Sequence, residues 1–160
     1  QRILDEVGLF LHLVEENTTD QQKRKANKLG SLSEVLTGKK VLIADDDVRN
    51  IFSLSKALEK YQMNVISATN GKEALLQLDN HPDVSIVLMD MMMPEMDGYE
   101  TIRLIRKHPQ YTKLPIMAVT AKAMTGDREK CIVAGASDYI SKPVDTDQLL
   151  SLLRVWLYEN

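Results

Sequence analysis

The stretch SIVLMDMMMPEMDG, residues 85–98, opens as an unbroken apolar run and meets a carboxylate, Asp90, where the run ends. An unpaired charge at the end of a buried strand is expensive to desolvate. Either Asp90 starts a solvated loop, or something cationic meets it there. The run itself does not alternate polar with apolar residues. A strand of that kind is covered on both faces, as in a parallel sheet.

The same pattern recurs on both sides of this stretch. KVLIA (40–44), MNVISAT (63–69), IMAVT (116–120, opened by Pro115) and SDYI (137–140) also read as strands. Between and after them lie helical spacings. VRNIFSLSKALEKY carries Ile51, Leu54 and Leu58; GKEALLQLDN follows a capping Asn70; YETIRLIRKH turns Ile102 and Ile105 inward. GDREKCIVAG closes on Gly135, and DTDQLLSLLRVWLYEN places Leu149, Leu152, Leu153 and Trp156 on one side. Strands alternating with helices predict an α/β fold, a doubly wound parallel sheet with helices on both faces. Right-handed crossovers leave few topologies for it.

Residues 1–38 differ. RILDEVGLFLHLVEEN sets Ile3, Val7, Phe10 and Val14 on the face of an amphipathic helix, with Leu4 and Leu11 beside them. A polar, basic connector then runs to Gly30, and a short apolar turn to Gly38. The expected division is an N-terminal helix and linker over 1–38 and the α/β domain over 39–160. The first residue is Gln1 rather than methionine, which reads as a piece of a longer protein. The helix either caps its own domain, or it ends a preceding domain or packs on a partner; this start favours the second reading.

Composition narrows the function. With 44% hydrophobic and 27% charged residues, the chain reads as an ordinary soluble protein. A formal net charge of -3 offers no basic surface for nucleic acid. A single cysteine, Cys131, excludes an internal disulfide and fits a reducing cytoplasm. No apolar run approaches the roughly 20 residues of a membrane span, so no direct membrane contact is expected.

Open α/β sheets bind ligands beyond the carboxyl ends of their strands. The first strand is followed by Asp45, Asp46 and Asp47, the third by Asp90, the fourth by Thr120 and Ala121, and the fifth by Lys142 and Pro143. Acids brought together repel one another unless a cation neutralises them, and hard oxygens of this kind suit Mg²⁺. A lysine and a hydroxyl beside such a metal can hold a phosphoryl group. One carboxylate can then act as its acceptor. Each residue taken singly has an ordinary reading: the acid run as a helix cap, Thr120 as a strand end, Lys142 as a solvated lysine. The joint arrangement is what points to phosphoryl chemistry.

The segments VLIADDD, VLMDMMMPEMDG, MAVTA and YISKPV, with their spacings, resemble the signature segments of the response-regulator receiver domain over residues 39–160. The resemblance implies a flavodoxin-like (βα)5 sheet of strand order 2-1-3-4-5. It implies that Asp90 is the phosphoacceptor and that Asp45, Asp46, Asp90 and the Met92 backbone carbonyl hold Mg²⁺ or Mn²⁺. Met92, Thr120, Ala121 and Lys142 would surround the phosphoryl group. Thr120 and Tyr139 would be the switch pair, Met92 and Lys122 would tune the lifetime of the phosphorylated state, and the bond before Pro143 would be cis.

The segment around TGKKVLIADDDVRN, with FLHLVEEN upstream, most resembles a receiver at the C-terminal end of a hybrid histidine kinase. Its partners would be a histidine phosphotransfer domain or a kinase core, and neighbouring domains of the same chain. The parent kinase could be membrane-anchored through segments absent here. Such a domain catalyses its own phosphorylation rather than turning over a substrate. The first helix, through Ile51 and Leu54 where exposed, is a candidate docking face, with most of that stripe expected in the core. Two rivals stand beside this reading. One is a haloacid-dehalogenase-type phosphatase using Asp45 as nucleophile and Asp47 as acid. The other is a receiver-like interaction module that takes no phosphate.

Overall fold

The computed structural model describes residues 34–121 and 127–158; the expected N-terminal helix and Lys122 lie outside them. A compact unit runs over Val35–Asn160. Its sheet is built from β1 (Lys40–Ala44), β2 (Asn64–Ala68), β3 (Ile86–Asp90), β4 (Ile116–Thr120) and β5 (Asp138–Ser141). All pairings are parallel and the order is β2-β1-β3-β4-β5. β3 and β4 are buried along their whole length, as apolar runs without alternation require.

The helices are α1 (Val48–Glu59), α2 (Gly71–Asn80), α3 (Gly98–Arg106), α4 (Asp127–Ala134) and α5 (Thr146–Leu157), with a 3-10 turn over Pro109–Tyr111. Four of them start on a side chain that accepts from a first-turn N–H: Asp47 for α1, Asn70 for α2, Asp97 for α3 and Asp145 for α5. These short oxygen-bearing residues satisfy amides that have no partner within the helix; at Asn70 such a cap contributes about 1 kcal/mol.

One face of the sheet packs α2, α3 and α4 through Ala74, Leu78, Ile102, Ile105 and Cys131 against Leu42, Val87, Met89 and Ala118. The alternate strand residues Val41, Ile43, Leu88 and Met117 point to the other face. There α1 and α5 contribute Leu54, Leu58, Leu149, Leu153 and Leu157, all buried.

The inward face of α5 differs from the sequence expectation, whereas on α1 most of the expected stripe is core. On α5 the buried set is Leu149, Leu150, Leu153 and Leu157, while Leu152 and Trp156 are only half-buried. The Trp156 indole N–H donates to Asp138 Oδ2 of β5 at 3.2 Å. A tryptophan that needs a polar partner lies along the rim of the core rather than in it. On α1, Leu54 and Leu58 are core and Ile51 is half-buried. The large apolar side chains that face solvent there are Val48 and Phe52, the latter 63% exposed with Lys56 Nζ 5.1 Å above its ring.

The end of the sheet away from the strand carboxyl termini is tied by Arg106. Its guanidinium donates to the carbonyls of Gly135 (2.8 Å), Tyr111 (2.6 Å) and Leu114 (2.7 Å) and to Ser137 Oγ (3.2 Å). α3, the 3-10 turn and the entries to β4 and β5 are thereby joined through one side chain. Burial holds its pKa below the ordinary arginine value.

Candidate functional site

β1 and β3 are neighbours with Ala44 level with Met89, so the residues that follow, Asp45 and Asp90, emerge side by side at the carboxyl edge. β4 flanks β3 on its other side with Val119 level with Asp90, which puts Thr120 one step beyond. The Lys142 N–H donates to the Thr120 carbonyl at 2.7 Å, continuing the β4–β5 ladder and bringing the lysine over the same edge. The Lys142–Pro143 bond is cis.

Asp45 and Asp90 are nearly sealed, 3% and 2% exposed, while Asp46 faces solvent. One carboxylate oxygen from each of the three lies within 4.8 Å of the others. Lys142 Nζ stands 3.3 Å from Asp90 Oδ2 and 3.5 Å from Asp45 Oδ2. The remaining oxygens are held by the chain: Met92 N–H donates to Asp90 Oδ1 at 3.0 Å, and Asp47 N–H to Asp45 Oδ1 at 2.8 Å. Asn50 Nδ2 donates to Asp45 Oδ2 at 3.3 Å. Asn50 was missed in the sequence, where a first-turn asparagine on an exposed helix carries no signal of its own.

The electrostatics follow from burial. Desolvation pushes Asp90 up to about 6; the Met92 N–H and the Lys142 ammonium oppose that rise and Asp45 adds to it. Burial alone would lower the Lys142 pKa, but the Asp90 and Asp45 carboxylates outweigh it and hold the ammonium above the ordinary lysine value. The two directions are compatible. Lysine gains from two acids at once, whereas Asp90 gains one cation and bears both its own desolvation and a like charge.

Around this centre the loop after β3 is tightly built. Met91 and Met93 are buried in the core, while the Met92 side chain is 63% exposed. A Cβ on Gly98 would stand 2.6 Å from the Asp90 carbonyl oxygen and from Met91 Cα, so only glycine lets α3 start this close to the acid. Thr120 is buried and Ala121 exposed. Tyr139 is half-buried against the α2–α4 side of the core, with the Arg128 guanidinium 5.7 Å above its ring. Asp47 is engaged elsewhere: besides capping α1 it pairs with Arg49 (3.1 Å), whose hydrogen bonds lower its pKa. A cavity of about 500 Å³ opens beside Asp45 and Lys142, walled by Leu54, Val119 and Val144.

The donor set suits a hard divalent cation. It consists of three carboxylates on one edge, with backbone groups rather than histidines or thiolates as neighbours.

A family model described as the response regulator receiver domain matches residues 41–154. The histidine-protein kinase BarA of Escherichia coli is 36% identical over 113 residues, which are 71% of this chain and 12% of that protein. The probable transcriptional regulator ycf29 of Porphyra purpurea is 39% identical over 117 residues, 71% of this chain and 56% of that protein. This chain thus spans about half of one curated relative and a small part of the other. Among solved structures, the receiver domain of the sensor histidine kinase PA1611 of Pseudomonas aeruginosa, with magnesium in its active-site cleft, superposes with a TM-score of 0.70. The two are 31% identical, over 76% of this chain and 99% of that one. The Vibrio cholerae chemotaxis protein CheY4 gives 0.71 at 27% identity, covering 76% of this chain and all of that one. Among the described residues, no helix is long and apolar enough to cross a membrane.

Proposed function

This chain belongs to the response regulator receiver family, and on that premise we propose that Asp90 takes a phosphoryl group from a phosphohistidine. The domain is a receiver of two-component signalling. One observation carries the assignment of the acceptor: Asp90 is a nearly buried carboxylate at the end of the central strand, 3.3 Å from the Lys142 ammonium, with two further acids beside it.

Asp45, Asp46, Asp90 and the Met92 carbonyl would hold Mg²⁺, or Mn²⁺, which when bound neutralises charge on the phosphoryl group as it transfers. The chain's own residues do the rest. An oxygen of ionised Asp90 attacks phosphorus in line while the bond to the donor nitrogen breaks. With its pKa near 6, Asp90 is mostly ionised at neutral pH. Lys142 meets one phosphoryl oxygen and the Thr120 hydroxyl a second, and the Met92 and Ala121 N–H groups add donors that complete the shell around the three oxygens. Thr120 and Tyr139 then carry the change to the β4–β5 side, as a shift between two populated conformations. Met92 and Lys122 are the two positions that tune how long the phosphorylated state lasts.

The donor is a histidine phosphotransfer domain or a histidine kinase core, and the chain is the receiver of a hybrid kinase. The exposed Val48 and Phe52, rather than Ile51 and Leu54, form the docking face on α1 beside the acid cluster. The test is labelling with acetyl phosphate and Mg²⁺, mapped to the residue by mass spectrometry. Asp90→Asn abolishes the label; undiminished labelling of that variant would move the acceptor elsewhere.

A further inference from the structure

The methionines among the described residues divide sharply by exposure. Met63, Met89, Met91, Met93 and Met117 are each 6% exposed or less, and Met96 is half-buried. Met92 is 63% exposed. Its side chain therefore meets solvent freely, while its backbone is fixed beside the acid by the N–H bond to Asp90 Oδ1 at 3.0 Å. The buried Met91 and Met93 anchor the loop on either side. A change in the chemistry of the Met92 side chain would alter the surroundings of Asp90 without unpacking the core.

We propose that Met92 is an oxidation site through which peroxide shortens the life of the phosphoryl group on Asp90. The regulatory half of this inference rests on the reading of Asp90 as the acceptor. Thioether oxidation follows access to the sulfur. A sulfur lone pair attacks one oxygen of hydrogen peroxide, the O–O bond breaks, and an S–O bond forms. The leaving hydroxide takes the proton from the oxygen bound to sulfur and departs as water. Sulfur loses two electrons and the peroxide gains them. The product sulfoxide is polar and accepts hydrogen bonds, where the thioether was apolar. Beside an acyl phosphate, an apolar side chain keeps water away and a sulfoxide oxygen orders it. The same loop then presents a slow or a fast route to hydrolysis according to the state of one sulfur.

The test labels the chain with acetyl phosphate and Mg²⁺, maps the label, and divides the sample between peroxide and buffer. Peptide masses should show an added oxygen on Met92 ahead of Met63, Met89, Met91, Met93 and Met117. The lifetime of the label should fall roughly fivefold, the factor expected of one well-placed hydrogen bond to water. Met92→Leu should have a lifetime that peroxide leaves unchanged, and Met92→Gln should be short-lived without peroxide. An oxidised Met92 with an unaltered lifetime overturns the proposal. So does an equal shortening in Met92→Leu, which would place the effect at another residue. Label found away from Asp90 overturns the acceptor reading and the regulation with it, while selective oxidation of Met92 is judged separately by its own mass gain.

Discussion

Lys142 Nζ lies 3.3 Å from Asp90 Oδ2 although the two residues are far apart in the chain. The same ammonium stands 3.5 Å from Asp45 Oδ2. One cation is thus shared by two almost buried acids, which leaves the cluster short of positive charge. That shortage is what a divalent ion and the rearrangement around a phosphoryl group would relieve.

The shortage should be visible in stability. Burial places Asp90 at about 6, above the roughly 3.9 of a free aspartate. A raised carboxyl pKa means that the folded state binds the proton more tightly than the unfolded state. Ionised Asp90 therefore opposes folding. The penalty is absent below about pH 4, grows between about pH 4 and 6, and is complete above that. Asp90→Asn should raise the thermal midpoint of the metal-free protein at neutral pH, with the gain fading as pH falls to about 4. An equal gain at both ends of that range would refute the explanation.

Lys142→Ala should slow labelling by acetyl phosphate on the order of 100-fold, the usual consequence of removing a preplaced charge from a developing oxyanion. The variant should also melt earlier than the wild type at neutral pH, since Asp45 and Asp90 then face one another without a shared cation. Labelling time courses and a thermal scan check the two effects separately. A wild-type labelling rate would remove Lys142 from the site.

Phe52 is a large apolar side chain turned to solvent on the helix that leaves the acid cluster. Phe52→Asp should reduce phosphoryl transfer from a phosphohistidine-bearing protein at least about tenfold, the loss expected of an aromatic anchor at an interface. Labelling by acetyl phosphate, which needs no docking face, should stay the same. Equal losses with both donors would mean that the substitution disturbs the site itself.

Arg106 bonds three backbone carbonyls and a hydroxyl far from the acids. Arg106→Met should cost roughly 2–4 kcal/mol in urea unfolding, because several partly buried acceptors lose their donor together. The label should still map to the same residue. A change below about 0.5 kcal/mol, the scale of an ordinary surface substitution, would show that water replaces the guanidinium without loss.

Much of the domain was legible in the chain itself. Unalternated apolar runs such as IMAVT announce doubly covered strands, and short oxygen-bearing residues such as Asn70 announce helix starts, because both signals depend only on neighbours in sequence. The acids, Thr120 and Lys142 were legible because strand ends in such a fold share one edge. Less visible was the inward face of α5. DTDQLLSLLRVWL carries five leucines, so two overlapping stripes satisfy helical spacing equally. Arg106 gave no sign, since a lysine- and arginine-rich helix end reads as solvated.

The sequence by itself determined the alternation of strands and helices and the polar groups at the strand ends, and its signature segments carry the resemblance to the family. Tertiary structure alone decided which leucines of α5 turn inward and that Trp156 reaches for Asp138. It alone brought Asn50 to Asp45, left Met92 exposed between two buried methionines, and gave Arg106 its carbonyls. The physical reason is range. Strand and cap signals are set by local backbone and side-chain chemistry, whereas a side chain's exposure and its partners are set by what other segments pack against it.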